Sequence, residues 1–85
     1  MWKYRVMKRV FDCEEFYGIY EVFYNKKGEI KSHSTEPVEP HGNTLEELKQ
    51  DIEWMLEATK KEVLDYDHIV FYEDDLYEDE DVDVL

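Results

Sequence analysis

The sequence predicts an α+β fold: an antiparallel three-stranded meander followed by one amphipathic helix packed on one face, in the order β-β-β-α. Three observations carry this. Residues 2–24 hold two stretches rich in aromatic and β-branched residues, the first alternating with period two. Thr44-Leu45-Glu46-Glu47 has the spacing of a helix-opening capping box. The apolar residues that follow recur at helical intervals. At 85 residues and 42% hydrophobic, the chain makes one small domain with one modest core.

The first expected strand, Trp2–Phe11, sets Trp2, Tyr4, Val6 and Val10 on one face and Lys3, Arg5, Met7, Arg9 and Phe11 on the other. Lys8 interrupts the apolar face, which puts the far end of the strand near the surface. Asp12-Cys13-Glu14-Glu15 reads as a hairpin loop. Residues 16–24 are apolar on both parities, as in a central strand covered on both faces, or on one face plus a partner. Gly18 within it marks a bulge or a close backbone approach. Asn25-Lys26-Lys27-Gly28 reads as a tight turn with Gly28 at positive φ. Residues 29–35 are polar, with Ile30 the only large apolar side chain, and belong at a sheet edge. Pro37 and Pro40 then impose an extended connection.

The helix is expected from about residue 45 to residue 61. Leu45, Leu48, Ile52, Met55, Leu56 and Thr59 fall within about 100° of arc and form the expected buried stripe. Trp54 projects from the opposite side, among Glu47, Gln50, Asp51, Glu57 and Lys61. Beyond the helix, residues 68–72 are β-prone and read either as a fourth short C-terminal strand or as a single packed turn. Residues 1–72 are thus expected to form the domain, and residues 73–85 a flexible acidic tail.

Charge narrows the function. The formal net charge is −13: residues 1–72 carry 15 acids and 10 bases, residues 73–85 eight acids and no base. This argues against direct nucleic-acid binding, which needs clustered Lys and Arg. No run approaches the ~18–20 apolar residues of a membrane span, and the charged opening is unlike a signal peptide. One cysteine forms no internal disulfide, which suits a reducing cytoplasm. The tail sets Leu76, Tyr77, Val82, Val84 and Leu85 among acids. Three readings stand: a solvated solubility tail, a segment that docks on a basic partner or adds a strand to a sheet edge, or a flap folded back over the basic first strand.

No catalytic constellation is visible. There is no Gly-rich phosphate loop, no Cys pair and no His-Glu-x-x-His. His33, His41 and His68 lack metal-ligand spacing, and the tail lacks the glycine-punctuated loop of a tight calcium site. Cys13 sits beside Glu14 and Glu15, whose charge disfavours a thiolate. No enzyme activity, cofactor or metal is therefore expected. The aromatics say more. Two Trp, seven Tyr and four Phe exceed what so small a core hides. Trp2, Tyr4, Tyr20 and Val22 are assigned to that core. Trp54 is either covered by the C-terminal segment or exposed as a binding anchor. The candidate partner-binding residues are Trp54, Asp51 and Glu47 on the helix, with Leu76, Tyr77, Asp79, Glu80 and Asp81 in the tail.

The expected function is a small acidic protein-interaction domain that binds a basic protein partner, with inhibition of that partner as one outcome. A homodimer that pairs edge strands or buries Trp54 is a further arrangement. The alternative is a small domain with a carboxylate and histidine ligand or metal site on the sheet.

Two resemblances accompany this reading. The β-β-β-α order, with G-N-T-L-E-E-L opening the helix, resembles the HicB-type antitoxin fold over residues 4–57. In that family P-D-L-P-G-C precedes the helix; here Glu36-Pro37-Val38-Glu39-Pro40 occupies the place, and no DNA-binding segment is appended. That resemblance implies neutralisation of a small basic toxin. The segments W-K-Y-R-V-M-K-R, Y-G-I-Y-E-V-F-Y, E-P-V-E-P-H-G-N-T-L-E-E-L and V-L-D-Y are similar to small uncharacterised proteins of bacteria and their phages, which implies a fold and a cellular source but no activity.

Overall fold

Trp2–Phe11 (β1) and Glu14–Tyr24 (β2) pair in one unbroken antiparallel register, from Trp2 opposite Phe23 to Phe11 opposite Glu14. The computed structural model describes residues 1–73. After β2 come Ile30–His33 (β3), the helix Leu45–Ala58 (α1), the two-residue strand Leu64–Asp65 (β4) and a single 3₁₀ turn, Tyr66–His68. The expected α+β class, the three antiparallel strands and the single helix are all present. The sheet order is β3-β2-β1-β4, and β4 runs parallel to β1, with Met7 opposite Leu64 and Lys8 opposite Asp65.

The fourth strand therefore differs from expectation. It lies at residues 64–65, not 68–72, and makes the sheet mixed. Residues 69–73 form no regular element; the Tyr72 amide donates to the Ile30 carbonyl of β3 at 2.8 Å. The β1–β2 loop is also tighter than expected. Only Asp12 and Cys13 form it, both at positive φ (58° and 68°), the backbone of a type I′ hairpin turn; Glu14 and Glu15 belong to β2.

The Asn25–Gly28 turn forms as read, with Gly28 at φ 84° and its amide on the Asn25 carbonyl at 3.0 Å. Gly18 marks a close approach and no bulge: the β1–β2 register is continuous there, and a Cβ would lie 3.0 Å from the Pro37 Cβ. Residues 34–38 continue along the edge of β2, tied by the Val38 amide to the Ile19 carbonyl at 2.8 Å.

Both faces of the sheet are covered. On one face Tyr4 and Val6 pack against Met55 and Ala58 of α1, with Ile19 and Val38 beside them. On the other, Met7, Tyr20 and Val22 are buried under Tyr24, Ile30, Leu64, Tyr66 and Ile69. Met7 and Val22 are the largest side chains buried outright. The returning segment after α1 thus supplies a second layer. Cover ends near the level of Val10, whose amide donates to Asp67 Oδ2 at 3.1 Å. Beyond it Val10, Phe11, Phe16 and Tyr17 stand exposed at the hairpin tip, so β2 is covered on both faces only in its second half.

The helix starts where the capping box places it. Thr44 Oγ1 accepts from the Glu47 amide at 3.1 Å, and Glu47 Oε1 reaches back to the Asn43 amide at 2.8 Å. It ends three residues earlier than expected, in a last turn tightened by bonds from the amides of Thr59 and Lys60 to the carbonyls of Leu56 and Glu57. Its buried side keeps Met55, and half-buried Leu48, of the expected stripe but not the rest. Asp51, Met55 and Ala58 face the sheet, while Leu45, Ile52 and Leu56 are 64%, 47% and 57% exposed.

Candidate functional site

The rotation of α1 has one clear cause. Asp51 is buried, and both its oxygens are engaged: the Tyr4 hydroxyl donates to Oδ1 at 2.6 Å and the His41 amide to Oδ2 at 3.0 Å. Burial pushes the carboxyl up, but the bonds from Tyr4 and His41, together with the nearby His41 ring, outweigh it and hold the group below its ordinary value. Asp51 is thereby corrected from a candidate surface contact to an internal anchor of the helix.

Turning Asp51 inward brings Ala58 against the sheet and carries Trp54 round to the end of β1. Trp2, Lys3 and Tyr4 of β1 and Trp54, Glu57, Ala58 and Lys61 on or just after α1 line an open, mainly apolar groove of about 570 Å³. Trp54 is 55% exposed and Trp2 44% exposed. Trp2 was assigned to the core; it lies instead on the groove wall, its ring edge-on to Tyr4 with centroids 5.0 Å apart. It sits at the strand's first residue, beyond the end of the helix cover, which its alternation alone did not reveal. Tyr4, Tyr20 and Val22 are buried as expected. Lys3 and Lys61 are the groove's cations and Glu57 its acid.

Of the other candidates, Glu47 is exposed at the opposite end of α1, where its carboxylate serves the cap, and it does not join Trp54 in one patch. Leu76, Tyr77, Asp79, Glu80 and Asp81 lie outside the described residues.

The opposite face carries an aromatic cluster that the sequence pattern did not single out. Tyr66 packs on Tyr20 and His33, and His33 on Phe71, with centroids 4.9–5.5 Å apart; the Arg9 guanidinium lies 4.3 Å above the Tyr66 ring. It fastens the returning segment to the sheet. The histidines do not converge. His33 is in this cluster, the His41 backbone meets Asp51, and His68 bonds Asp65 at 2.9 Å. That bond is the chief cause that holds the Asp65 carboxyl below its ordinary value; burial opposes it, and the Asp67 amide and the charges of His68 and Lys8 assist. Among the described residues no group of three or more His, Cys, Asp or Glu could hold a metal ion, and no helix is long and apolar enough to cross a membrane. No family model, curated protein or solved structure matches the chain.

Proposed function

We propose that this protein is a non-catalytic, acidic interaction domain that binds a basic protein partner in the cytoplasm. One observation carries the reading: two half-exposed tryptophans flank an open apolar groove at one end of the sheet, in a chain of net charge −13. Water-facing tryptophans gain most when a partner desolvates them, and Trp is enriched among the residues that dominate binding energy. The acidic excess supplies what the aromatics lack. It speeds encounter with a cationic surface and repels phosphate backbones. In this reading the acids of residues 73–85 steer the partner and Trp54 anchors it. Inhibition follows where the covered surface is the partner's own nucleic-acid site, as for a DNA mimic, or a toxin's active surface, as the HicB-type resemblance implies.

Affinity capture with the full chain tests this. The expected result is a basic protein retained at about 50 mM salt, lost with Trp54→Ala, and largely released near 1 M salt, where charges are screened beyond ~3 Å. Retention equal at both salts and unaffected by Trp54→Ala removes the proposal.

A further inference from the structure

We propose that a second copy of this chain covers the outer face of α1, in an antiparallel two-fold helix pair centred on Ile52. The inward turn of Asp51 leaves the more apolar side of the helix in water: Leu45, Ile52 and Leu56 are all exposed. At ~100° per residue they fall within ~40° of arc, a straight stripe down the helix, with half-buried Leu48 beside it. The buried residues Asp51, Met55 and Ala58 centre ~110° away. A single surface leucine needs no explanation. Three large apolar side chains in line on one helix make the kind of seam along which helices pair. Trp54 lies ~180° from Leu45, so this surface is separate from the tryptophan groove.

The charges beside the stripe identify the occupant. One edge carries Lys49, Lys60, Glu53 and Glu46, all exposed and ~40–100° round from Leu45. The other edge is Leu48 and Thr59, next to the side that meets the sheet. An antiparallel two-fold pair sets each edge against the same edge of the other copy. With the axis at Ile52, Glu46 comes within ~3 Å of helix rise of the other copy's Lys60, and Lys49 falls between the other copy's Glu53 and Glu57. Leu45 comes level with the other copy's Thr59, and Ile52 meets itself. The two helix dipoles are then opposed, which is also favourable. A parallel pair would set the charged edge against Leu48 and Thr59, with no counter-charge, so the flanking charges choose the orientation.

Size and net charge set the strength. Three half-exposed side chains per copy make an interface below the ~1,200 Å² of standard complexes. The pair is therefore weak, with a dissociation constant expected near ~100 μM. The net charge of −13 on each copy opposes association at low salt. Added salt screens that repulsion and leaves the apolar seam intact, so association tightens as salt rises. This is the reverse of the salt dependence expected for capture of a basic protein, and either can fail without the other. Both Trp54 grooves stay open in the dimer, on the sides of the helices away from the seam.

Sedimentation equilibrium of the full chain, from about 10 μM to about 1 mM, tests this. The expected result is a dimer fraction that rises with protein concentration and again between about 50 mM and 500 mM salt. Ile52→Gln weakens association at least tenfold with an unchanged circular dichroism spectrum. Oxidative cross-linking in a Cys13→Ser background reads the geometry, because a disulfide needs Cα atoms within ~7 Å. Ile52→Cys links to itself. Leu45→Cys links to Thr59→Cys in a mixture of the two chains but not to itself, since its own counterpart lies ~21 Å along the seam. Gln50→Cys, exposed on the other side of the helix, does not link. A monomer at every concentration and salt, a dimer that Ile52→Gln leaves intact, or Leu45→Cys linking to itself in preference to Thr59→Cys overturns the proposal.

Discussion

The Tyr4 hydroxyl donates to Asp51 Oδ1 at 2.6 Å, joining β1 to α1 across 47 residues of chain. An O–H···O⁻ bond this short is charge-assisted and stronger than a neutral one. It decides which side of the helix meets the sheet, and so where Trp54 stands.

Tyr4→Phe leaves a buried carboxylate oxygen without its donor, and Asp51→Asn sets an amide NH₂ against either the Tyr4 hydroxyl or the His41 amide. Each is expected to cost about 1–3 kcal/mol in urea unfolding at neutral pH. The pH profile identifies the cause. The Asp51 carboxyl is held below its ordinary value in the fold. The unfolded chain thus takes up that proton first, and Asp51's contribution is full above ordinary carboxylate titration and declines as acid approaches the folded value. Tyr4 moves the other way: burial foremost, then the Asp51 bond and charge, raise its hydroxyl. Its contribution is full below about pH 10 and is lost as pH rises further. Asp51→Asn flattens the acid limb and weakens the alkaline one. Unchanged limbs contradict this assignment.

The two core layers make contrasting predictions for residues that look alike in sequence. Met7 sits on the charged parity of β1 yet is buried outright. Met7→Ala is expected to cost about 2–5 kcal/mol, as truncations in packed cores do. Ile52 lies on the apolar stripe of α1 yet is half exposed. Ile52→Gln is expected to change stability by no more than about 0.5 kcal/mol. Thermal unfolding of the two variants side by side checks the pair; the reverse order contradicts the helix orientation.

Cys13 holds φ 68° in the hairpin turn without being glycine. An L-residue with a Cβ is strained there. Cys13→Gly, which gives Asp-Gly at a type I′ turn, is expected to stabilise by about 0.5–1 kcal/mol. A raised urea midpoint at unchanged m-value is the supporting readout.

Asn25 fastens the C-terminal segment. Its Oδ1 accepts from the amides of Lys27 and Glu29, and its Nδ2 donates to Glu29 Oε1 and the Glu73 carbonyl, all at 2.9–3.0 Å. Asn25→Ala removes all four bonds and is expected to cost about 1–3 kcal/mol. Amide exchange at Tyr72 should rise out of proportion to that at Val6. Equal acceleration at both would mean that Asn25 supports only the turn.

How much of this was legible depended on whether local chemistry or distant chain decided each residue. Strand parity in β1, the Gly28 turn, the polar edge strand and the Thr44 cap are set within a few residues, and all were readable. The helix face was not. Leu45, Ile52 and Leu56 make the more apolar stripe, but a single carboxylate with two donors, from Tyr4 and His41, turned the helix toward Asp51. A periodicity sum counts Asp51 as outward because it has no knowledge of its partners. Met7 was not singled out as core for a similar reason: the layer that buries it comes from Leu64, Tyr66 and Ile69, about sixty residues later. Trp54 was legible as an anomaly on a polar helix face. Trp2, its counterpart, followed the strand alternation and gave no local sign of exposure.

Photo-crosslinking shows whether the Trp2–Trp54 groove meets a basic protein. A photoreactive residue at position 57, on the groove wall, is introduced into the full chain in the cells that make it, with position 14 at the hairpin tip as comparison. The expected result is an adduct with a basic protein from position 57, absent from position 14 and abolished by Trp54→Ala. No protein adduct from position 57, or one equally abundant from position 14 and indifferent to Trp54→Ala, contradicts it.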